Sequence, residues 1–115
     1  MPTREELAYI AGLFDGEGCM QMNTSGGRNG KSRQYRVQIS QKHPMVLYWI
    51  VDTLNLGRVY TFKSGCSRWE AASKSAITFL RLIVEFSIAR KENIKEMILC
   101  YEEGRIANVS HTHRS

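Results

Sequence analysis

Apolar and polar residues alternate along the chain with two different spacings, one typical of helices and one typical of strands. In the first helical stretch, Leu7, Ile10 and Phe14 form a single apolar stripe. Residues 3–6 read Thr-Arg-Glu-Glu, which is the spacing of a capping box at a helix start. The pattern predicts a helix that runs to about Phe14 and stops near Gly16-Glu-Gly18.

The clearest strand is Gln34–Ser40, where Tyr35, Val37 and Ile39 fall on one face and polar residues on the other. A strand at 19–24 precedes it across a flexible hairpin turn at 25–32. The next predicted elements are a helix at about 44–55 with Pro44 in its first turn and a second hairpin of strands 57–62 and 67–72. A third helix is capped by Ser73 or Ser75 and runs through Phe86. A fourth helix runs from about Arg90 to Tyr101 and ends at Glu103-Gly104.

The predicted order αββαββαα indicates an α+β fold, with one antiparallel four-stranded sheet, helices on one of its faces and the other face open. A chain of 115 residues has room for one domain, which we place at 1–104, followed by a polar C-terminal tail at 105–115. No apolar run approaches the roughly 20 residues that span a bilayer, so we expect no membrane partner. Cys19, Cys66 and Cys100 lack metal-binding spacing, which predicts reduced thiols in an intracellular protein.

Basic residues are concentrated in the middle of the chain. The net charge is +5, and between Gly18 and Trp69 the only acid is Asp52 against eight Lys and Arg residues. A basic stretch of this kind is the electrostatic signature of a protein that binds a polyanion such as DNA. The polar face of the central strand carries the amide, guanidinium and hydroxyl groups that read base edges in a major groove, at Gln34, Arg36, Gln38 and Ser40.

Residues 10–18 read Ile-Ala-Gly-Leu-Phe-Asp-Gly-Glu-Gly. Small residues let two helices approach closely, and two carboxylates separated by one glycine can hold a divalent cation. The stretch resembles the motif that names the LAGLIDADG homing endonucleases. It keeps the alanine, both flanking glycines and the first aspartate, while Gly16 replaces an alanine and Glu17 replaces the second aspartate. The predicted αββαββαα order is similar to the fold of that family.

The resemblance implies a site-specific double-stranded DNA endonuclease that hydrolyses phosphodiester bonds with Mg²⁺. One motif in a short chain is similar to the single-motif subfamily, whose members act as homodimers on long, nearly palindromic sites. The expected dimer interface consists of Ala8, Ala11 and Gly12, with Asp15 capping or bracing the turn between the paired helices. The partners expected from the resemblance are double-stranded DNA, a second copy of the chain and, as an alternative nucleic acid, intron RNA.

The resemblance also assigns site residues. Glu17 takes the metal-binding position with the Gly16 carbonyl as a second ligand, and Gln41 matches a water-positioning glutamine. The basic catalytic position falls on Arg90, or on Lys91 with a one-residue slip. The residues expected to contact DNA are those of the central strand face together with Cys19, Gln21, Asn23, Arg28, Lys31, Arg33, Arg58, Tyr60, Arg68 and Glu70.

Two departures from the family pattern leave an alternative open, and the first is Arg90, which stands where a lysine is typical. Met45 stands where another basic residue is often found, so either Lys42 substitutes or this catalytic element is weak. The alternative is a cleavage-deficient nucleic-acid-binding protein of the same fold, such as an RNA-splicing maturase or a transcription factor. A third hypothesis is a small basic domain that assembles with a protein partner. The expected location is an organelle or a bacterial or phage cytoplasm.

Overall fold

The computed structural model describes the backbone of residues 1–25 and 32–114, and the side chains of residues 1–23 and 33–104. Over these ranges the order of elements is αββαββαα, which confirms the predicted α+β class. The elements are α1 (Arg4–Glu17), β1 (Gly18–Ser25), β2 (Ser32–Gln41), α2 (Met45–Leu54), β3 (Arg58–Thr61), β4 (Ser67–Ala72), α3 (Lys74–Ile83) and α4 (Lys91–Arg114).

Helix α1 begins with the predicted capping box. The backbone N–H of Thr3 donates to Oε1 of Glu6 at 2.8 Å, and the backbone N–H of Glu6 donates to Oγ1 of Thr3 at 3.1 Å. The reciprocal bonds satisfy two backbone amides that have no partner within the helix. The helix continues past Phe14 to Glu17, and Gly18 is its C-cap, which confirms the predicted stop near Gly16-Glu-Gly18.

Two of the predicted ends in the C-terminal half are wrong. Helix α3 ends at Ile83 rather than Phe86. Helix α4 continues through Gly104 to Arg114 instead of ending at Glu103-Gly104. A glycine inside a helix costs only about 1 kcal/mol relative to alanine, and no proline follows Gly104 to stop the helix.

The sheet has the strand order β1-β2-β4-β3, and every pair of neighbours is antiparallel. The central strand β2 therefore pairs with β1 on one side and with β4 on the other. Gly57 leads into β3 with φ +86°, and a Cβ there would lie 2.9 Å from the carbonyl oxygen of Glu70 and against the indole of Trp69. A residue without a side chain is required at this point for β3 to approach β4.

The core lies between the helices and one face of the sheet. Tyr35, Val37 and Ile39, which the alternation placed on one face of the central strand, are 5%, 0% and 0% exposed, and Trp69 of β4 is 0% exposed. The ring of Phe79 from α3 packs on Trp69 at 4.6 Å and edge-on against Phe14 from α1 at 5.4 Å. Since strand side chains alternate between faces, this packing leaves the opposite face of the sheet uncovered.

Candidate nucleic-acid interface and acidic motif site

Side chains of all four strands meet on the uncovered face of the sheet, which we call the open face. Cys19, Gln38, Glu70 and Arg58 are direct partners in one row across the sheet. The other rows contain Asn23 with Gln34; Gln21 with Arg36 and Ala72; and Ser40 with Arg68 and Tyr60. The strand register thus brings together every described residue that the alternation assigned to a base-reading face.

Of the three predicted hairpin residues, the structure describes one, Arg33. Arg33 is exposed near the start of β2, whereas the end of α1 adjoins the far end of that strand through the pairing of Gly18 with Ile39. Arg28 and Lys31 fall outside the described residues. Only Arg33 of this predicted group of phosphate contacts is therefore placed, on the rim of the sheet away from the motif.

The centre of the open face contains a side-chain network that the sequence did not predict. The side-chain amide of Gln38 donates to Oε1 of Glu70 at 3.2 Å, and Nε of Arg36 lies 3.3 Å from Oε2 of the same carboxylate. The guanidinium of Arg68 stacks over the ring of Phe62 at 4.9 Å. The one carboxylate among the open-face residues is therefore shared between two predicted base-reading side chains.

The acidic motif forms the end of α1. The N–H of Gly18 donates to the carbonyl oxygen of Phe14, the last hydrogen bond of the helix. The carbonyl oxygens of the next three residues have no helical partner, and the helix dipole places partial negative charge there. Glu17 is exposed, and the space beside the Cα of Gly16 is open. A carboxylate and a free carbonyl at this end are hard oxygen donors of the kind Mg²⁺ prefers.

Asp15 binds the connection between α3 and α4 of its own chain. Its carboxylate accepts hydrogen bonds from the hydroxyl of Ser87 and from the backbone N–H groups of Ile88 (2.8 Å) and Ala89 (3.0 Å). Burial alone would raise the pKa of Asp15, but these hydrogen bonds and the charge of Arg90 outweigh it, so the pKa lies below its ordinary value. The carboxylate is ionised and fully engaged at neutral pH.

Arg90 is held against the motif by the same connection. Its Nε donates to the carbonyl oxygen of Asp15 at 3.3 Å, and its guanidinium lies over the ring of Phe14 at 5.5 Å. Its backbone N–H donates to the hydroxyl of Ser87 at 3.2 Å. Lys91 is the first residue of α4, and within the described residues no hydrogen bond or ion pair joins it to the motif. Of the two basic candidates, Arg90 is the one in contact with the motif.

Gln41 lies at the same end of the sheet as the motif. It is the last residue of β2 and pairs with Ser67, while Ile39 of the same strand pairs with Gly18. Two residues of strand span about 7 Å, so Gln41 extends that far past the end of α1. By alternation its side chain belongs with Ile39 on the helical side of the sheet. The structure therefore places Gln41 near the end of the motif and not on the open face.

The predicted interface of α1 needs one correction, at Ala11. Ala8, Gly12 and Gly16 are exposed at spacings of four residues and form a stripe of small residues. Ala11 is 0% exposed and belongs to the chain's own core, because helical spacing puts it beside the core residue Phe14. Asp15 is engaged with the α3–α4 connection of its own chain, and its role beside a second helix stays a prediction. The small-residue face therefore consists of Ala8, Gly12 and Gly16.

The metal donors of one chain are few. Among the side chains that the structure describes, no group of three or more His, Cys, Asp or Glu residues converges on one point. The exposed carboxylate of Glu17 and the carbonyl of Gly16 are oxygen donors that suit a cation which keeps several waters. They fit a divalent ion whose other ligands come from water, a phosphate or a second copy of the chain.

The chain is an α+β protein in which a helix-backed antiparallel sheet presents an open polar face beside a helix that ends in an exposed carboxylate. A family model described as LAGLIDADG endonuclease matches residues 10–101, which is most of the chain. The chain belongs to the LAGLIDADG endonuclease family. Comparison with curated proteins gives no match.

Solved homing endonucleases have the same fold. The structure of I-CvuI in complex with its target in the presence of 2 mM Ca has a TM-score of 0.78 at 16% identity, covering 90% of this chain and 70% of that one. The archaeal intron-encoded I-Vdi141I, complexed with DNA, has a TM-score of 0.69 at 22% identity, covering 95% and 73%. The group I intron-encoded I-CeuI, complexed with DNA, has a TM-score of 0.66 at 16% identity, covering 99% and 60%.

Over the residues that the structure describes, none of the helices combines the length and apolar character needed to cross a membrane. Helix α4 is the longest of them at 24 residues, and charged residues recur along it.

Proposed function

We propose that the protein is a site-specific, metal-dependent endonuclease that cuts both strands of a DNA duplex as a homodimer. The observation that carries the proposal is the position of an exposed Glu17 at the end of α1, directly where β1 of the open face begins. A duplex lying across the open face passes that carboxylate. Related structures give support, because I-CvuI and I-Vdi141I were solved with DNA bound to the same fold.

The homodimer follows from the surface of α1. Ala8, Gly12 and Gly16 present no bulky side chain, so a second helix can approach closely along this stripe. A two-fold axis there duplicates Glu17 and joins two open faces into one longer surface. One chain offers a single exposed carboxylate at its motif, whereas cutting two strands requires two reaction centres. We therefore expect a nearly palindromic target.

The proposed reaction is hydrolysis, in which a water molecule attacks the phosphorus atom and the P–O bond to one sugar breaks. Glu17 and the Gly16 carbonyl would hold Mg²⁺, which when bound lowers the pKa of a water ligand and stabilises the charge on the phosphate. Gln41, at the same end of the sheet, would orient the attacking water. Arg90 would stabilise negative charge electrostatically, because a guanidinium does not readily release a proton.

Glu17→Gln tests this function, with Asp52→Asn as the matched control. Both variants replace one exposed carboxylate by an amide, but Asp52 lies on α2, away from the motif. Cleavage of a plasmid library with Mg²⁺ should fall by about 100-fold or more in Glu17→Gln, while binding to the selected site persists. Asp52→Asn should cut like the unmodified protein. Equal cleavage by both variants would remove Glu17 from the mechanism.

A second function is favoured by one observation. Met45, at the start of α2, is 81% exposed and stands where the family often has a basic residue. An apolar side chain there supplies no charge to a phosphate, which supports a nucleic-acid-binding protein without cleavage, such as a maturase or a transcription factor. The discriminating result is a protein that shifts DNA or intron RNA at nanomolar to micromolar concentration but never nicks a plasmid in Mg²⁺.

We also propose that the protein acts inside a cell or organelle. Its substrate class is present there, and Cys19, Cys66 and Cys100 are free thiols. Two of them, Cys19 and Cys66, are exposed and would be open to oxidation in a secreted protein. Mass spectrometry of the protein isolated from its host under alkylating conditions should find all three cysteines alkylated, and any disulfide-linked cysteine would contradict this location.

A further inference from the structure

The open face contains one acid among its polar and basic side chains, and that acid is well shielded. The side chain of Glu70 is only 20% exposed, and Gln38 and Arg58 flank it in the same row of the sheet. A carboxylate placed to face DNA phosphates would repel them, so its presence here requires another explanation. Its contacts within the protein supply that explanation.

Glu70 fixes which way the amide of Gln38 points. A glutamine side chain can turn by 180° and exchange its donor and acceptor groups, which changes the base edge it recognises. An ionised carboxylate accepts hydrogen bonds and donates none, so only the NH₂ group of Gln38 can face it. The observed bond from Nε2 to Oε1 at 3.2 Å therefore leaves Oε1 of Gln38 and one N–H in a defined direction.

Glu70 also contacts Arg36, at the Nε atom of the Arg36 side chain. Nε of Arg36 lies 3.3 Å from Oε2 of Glu70 in an ion pair and is itself buried, but it makes no hydrogen bond among the described side chains, so the attraction is electrostatic. The Arg36 side chain as a whole is nevertheless 41% exposed, so it remains accessible from the open face. The residue opposite Arg36 on β4 is Ala72, which has only a methyl side chain. The terminal nitrogens are the atoms that pair with O6 and N7 of guanine.

We infer that Glu70 is a positioning residue for sequence recognition, which sets the orientation of Gln38 and Arg36 and contacts no base itself. This inference rests on the proposed DNA recognition by the open face and adds how two of its side chains are oriented. Arg36, Gln38 and Glu70 then act as one recognition unit, and the base preferences of the two outer residues depend on the charge of the third. Independent, freely rotating side chains would show no such dependence.

The test is Glu70→Gln, which keeps the shape of the side chain and removes its charge. A glutamine at position 70 can pair with either orientation of the Gln38 amide and no longer attracts Arg36. Selection of bound sites from a randomised duplex pool, at 150 mM salt, should show about tenfold weaker discrimination at the base pairs read by Arg36 and Gln38. Discrimination at the other base pairs should stay unchanged, and affinity for random DNA should rise a few-fold.

Double variants separate positioning from direct contact. Arg36→Ala and Gln38→Ala each identify the base pairs that their own side chain reads. In the variant carrying both changes, adding Glu70→Gln should have no further effect on discrimination, because the residues through which Glu70 acts are gone. Asp52→Asn, which removes an exposed charge on α2, should leave every preference intact. Thermal unfolding of each variant confirms that the fold is retained.

Three outcomes would overturn the inference, and a fourth would separate it from the endonuclease proposal. Unchanged discrimination in Glu70→Gln means that Glu70 does not orient its neighbours. A loss confined to a base pair that neither Arg36→Ala nor Gln38→Ala affects means that Glu70 reads a base directly. A protein that selects no sequence at all refutes both this inference and the proposed DNA recognition. A protein that selects a site, shows the predicted loss and never cuts DNA refutes only the endonuclease proposal.

Discussion

Asp15→Asn is expected to destabilise the fold by about 2 kcal/mol at neutral pH. The Asp15 carboxylate accepts hydrogen bonds from the Ser87 hydroxyl and the backbone N–H groups of Ile88 and Ala89. Hydrogen bonds to a charged group contribute about 1.5–3 kcal/mol each, against about 0.5–1.5 kcal/mol for neutral pairs. Loss of the charge therefore weakens each of the three hydrogen bonds by about 1 kcal/mol. Because Ile88 and Ala89 are exposed, their backbone N–H groups can donate to water instead, which offsets part of this loss of stability.

The effect has a defined pH dependence. Burial would raise the pKa of Asp15, but hydrogen bonds from Ser87, Ile88 and Ala89 and the charge of Arg90 lower it in the folded chain. The stabilisation is fully present above the pKa of the unfolded chain, about 3.9. It is lost as the pH falls through the lower pKa of the folded chain. The difference in free energy of unfolding between the unmodified protein and Asp15→Asn should therefore disappear as the pH falls through the folded-state pKa of Asp15.

Urea unfolding, followed by tryptophan fluorescence at several pH values from 7 down to 3, measures this difference. Asp52→Asn is the control, because Asp52 is exposed and the structure gives it no hydrogen bond or ion pair among the described residues. Its unfolding curve should coincide with that of the unmodified protein. A gap for Asp15→Asn that is as large at pH 3 as at pH 7 would refute the role of the ionised carboxylate.

Three further substitutions should be compared by urea unfolding at pH 7. Gly18→Ala should destabilise by about 3 kcal/mol, because its Cβ would overlap the ring of Phe14 and lie 2.6 Å from the carbonyl oxygen of that residue. Ile39→Ala should cost about 2–5 kcal/mol, since the side chain is 0% exposed and its removal leaves a cavity. Glu102→Gln should cost less than about 1 kcal/mol, because its 2.7 Å ion pair with Arg81 is about half exposed.

The sheet was predictable because it depends on local rules. Alternation along Gln34–Ser40 placed Tyr35 and Val37 in the core and Arg36 and Gln38 on the opposite face, and antiparallel pairing extended that division to the neighbouring strands. Because successive side chains of a strand point to opposite faces, the position of the apolar residues in the core also determines which residues lie on the opposite face. The open face was therefore fixed by residue order without knowledge of any long-range contact.

The contacts of the acidic motif were not predictable in the same way. Ser87 lies 72 residues from Asp15 in the chain, and no local pattern marks a pair so far apart. Ala11 was assigned to an interface because it is small, but a small residue fits a tight core as well as a helix contact. The end of α4 was also missed, because Gly104 was read as a stop signal, whereas glycine alone is only a weak one.

The two acids of the motif have separate roles because of helical geometry. Asp15 and Glu17 are two residues apart, so their side chains point about 200° apart around α1. With Asp15 directed at the α3–α4 connection, Glu17 is necessarily directed away from it, and it is exposed. The same contacts bring Arg90 to the motif, so the structural acid places the basic group while the exposed acid remains available for a cation. If both carboxylates lay on one side of α1, the chain would lack either the hydrogen bonds from the α3–α4 connection or the exposed carboxylate.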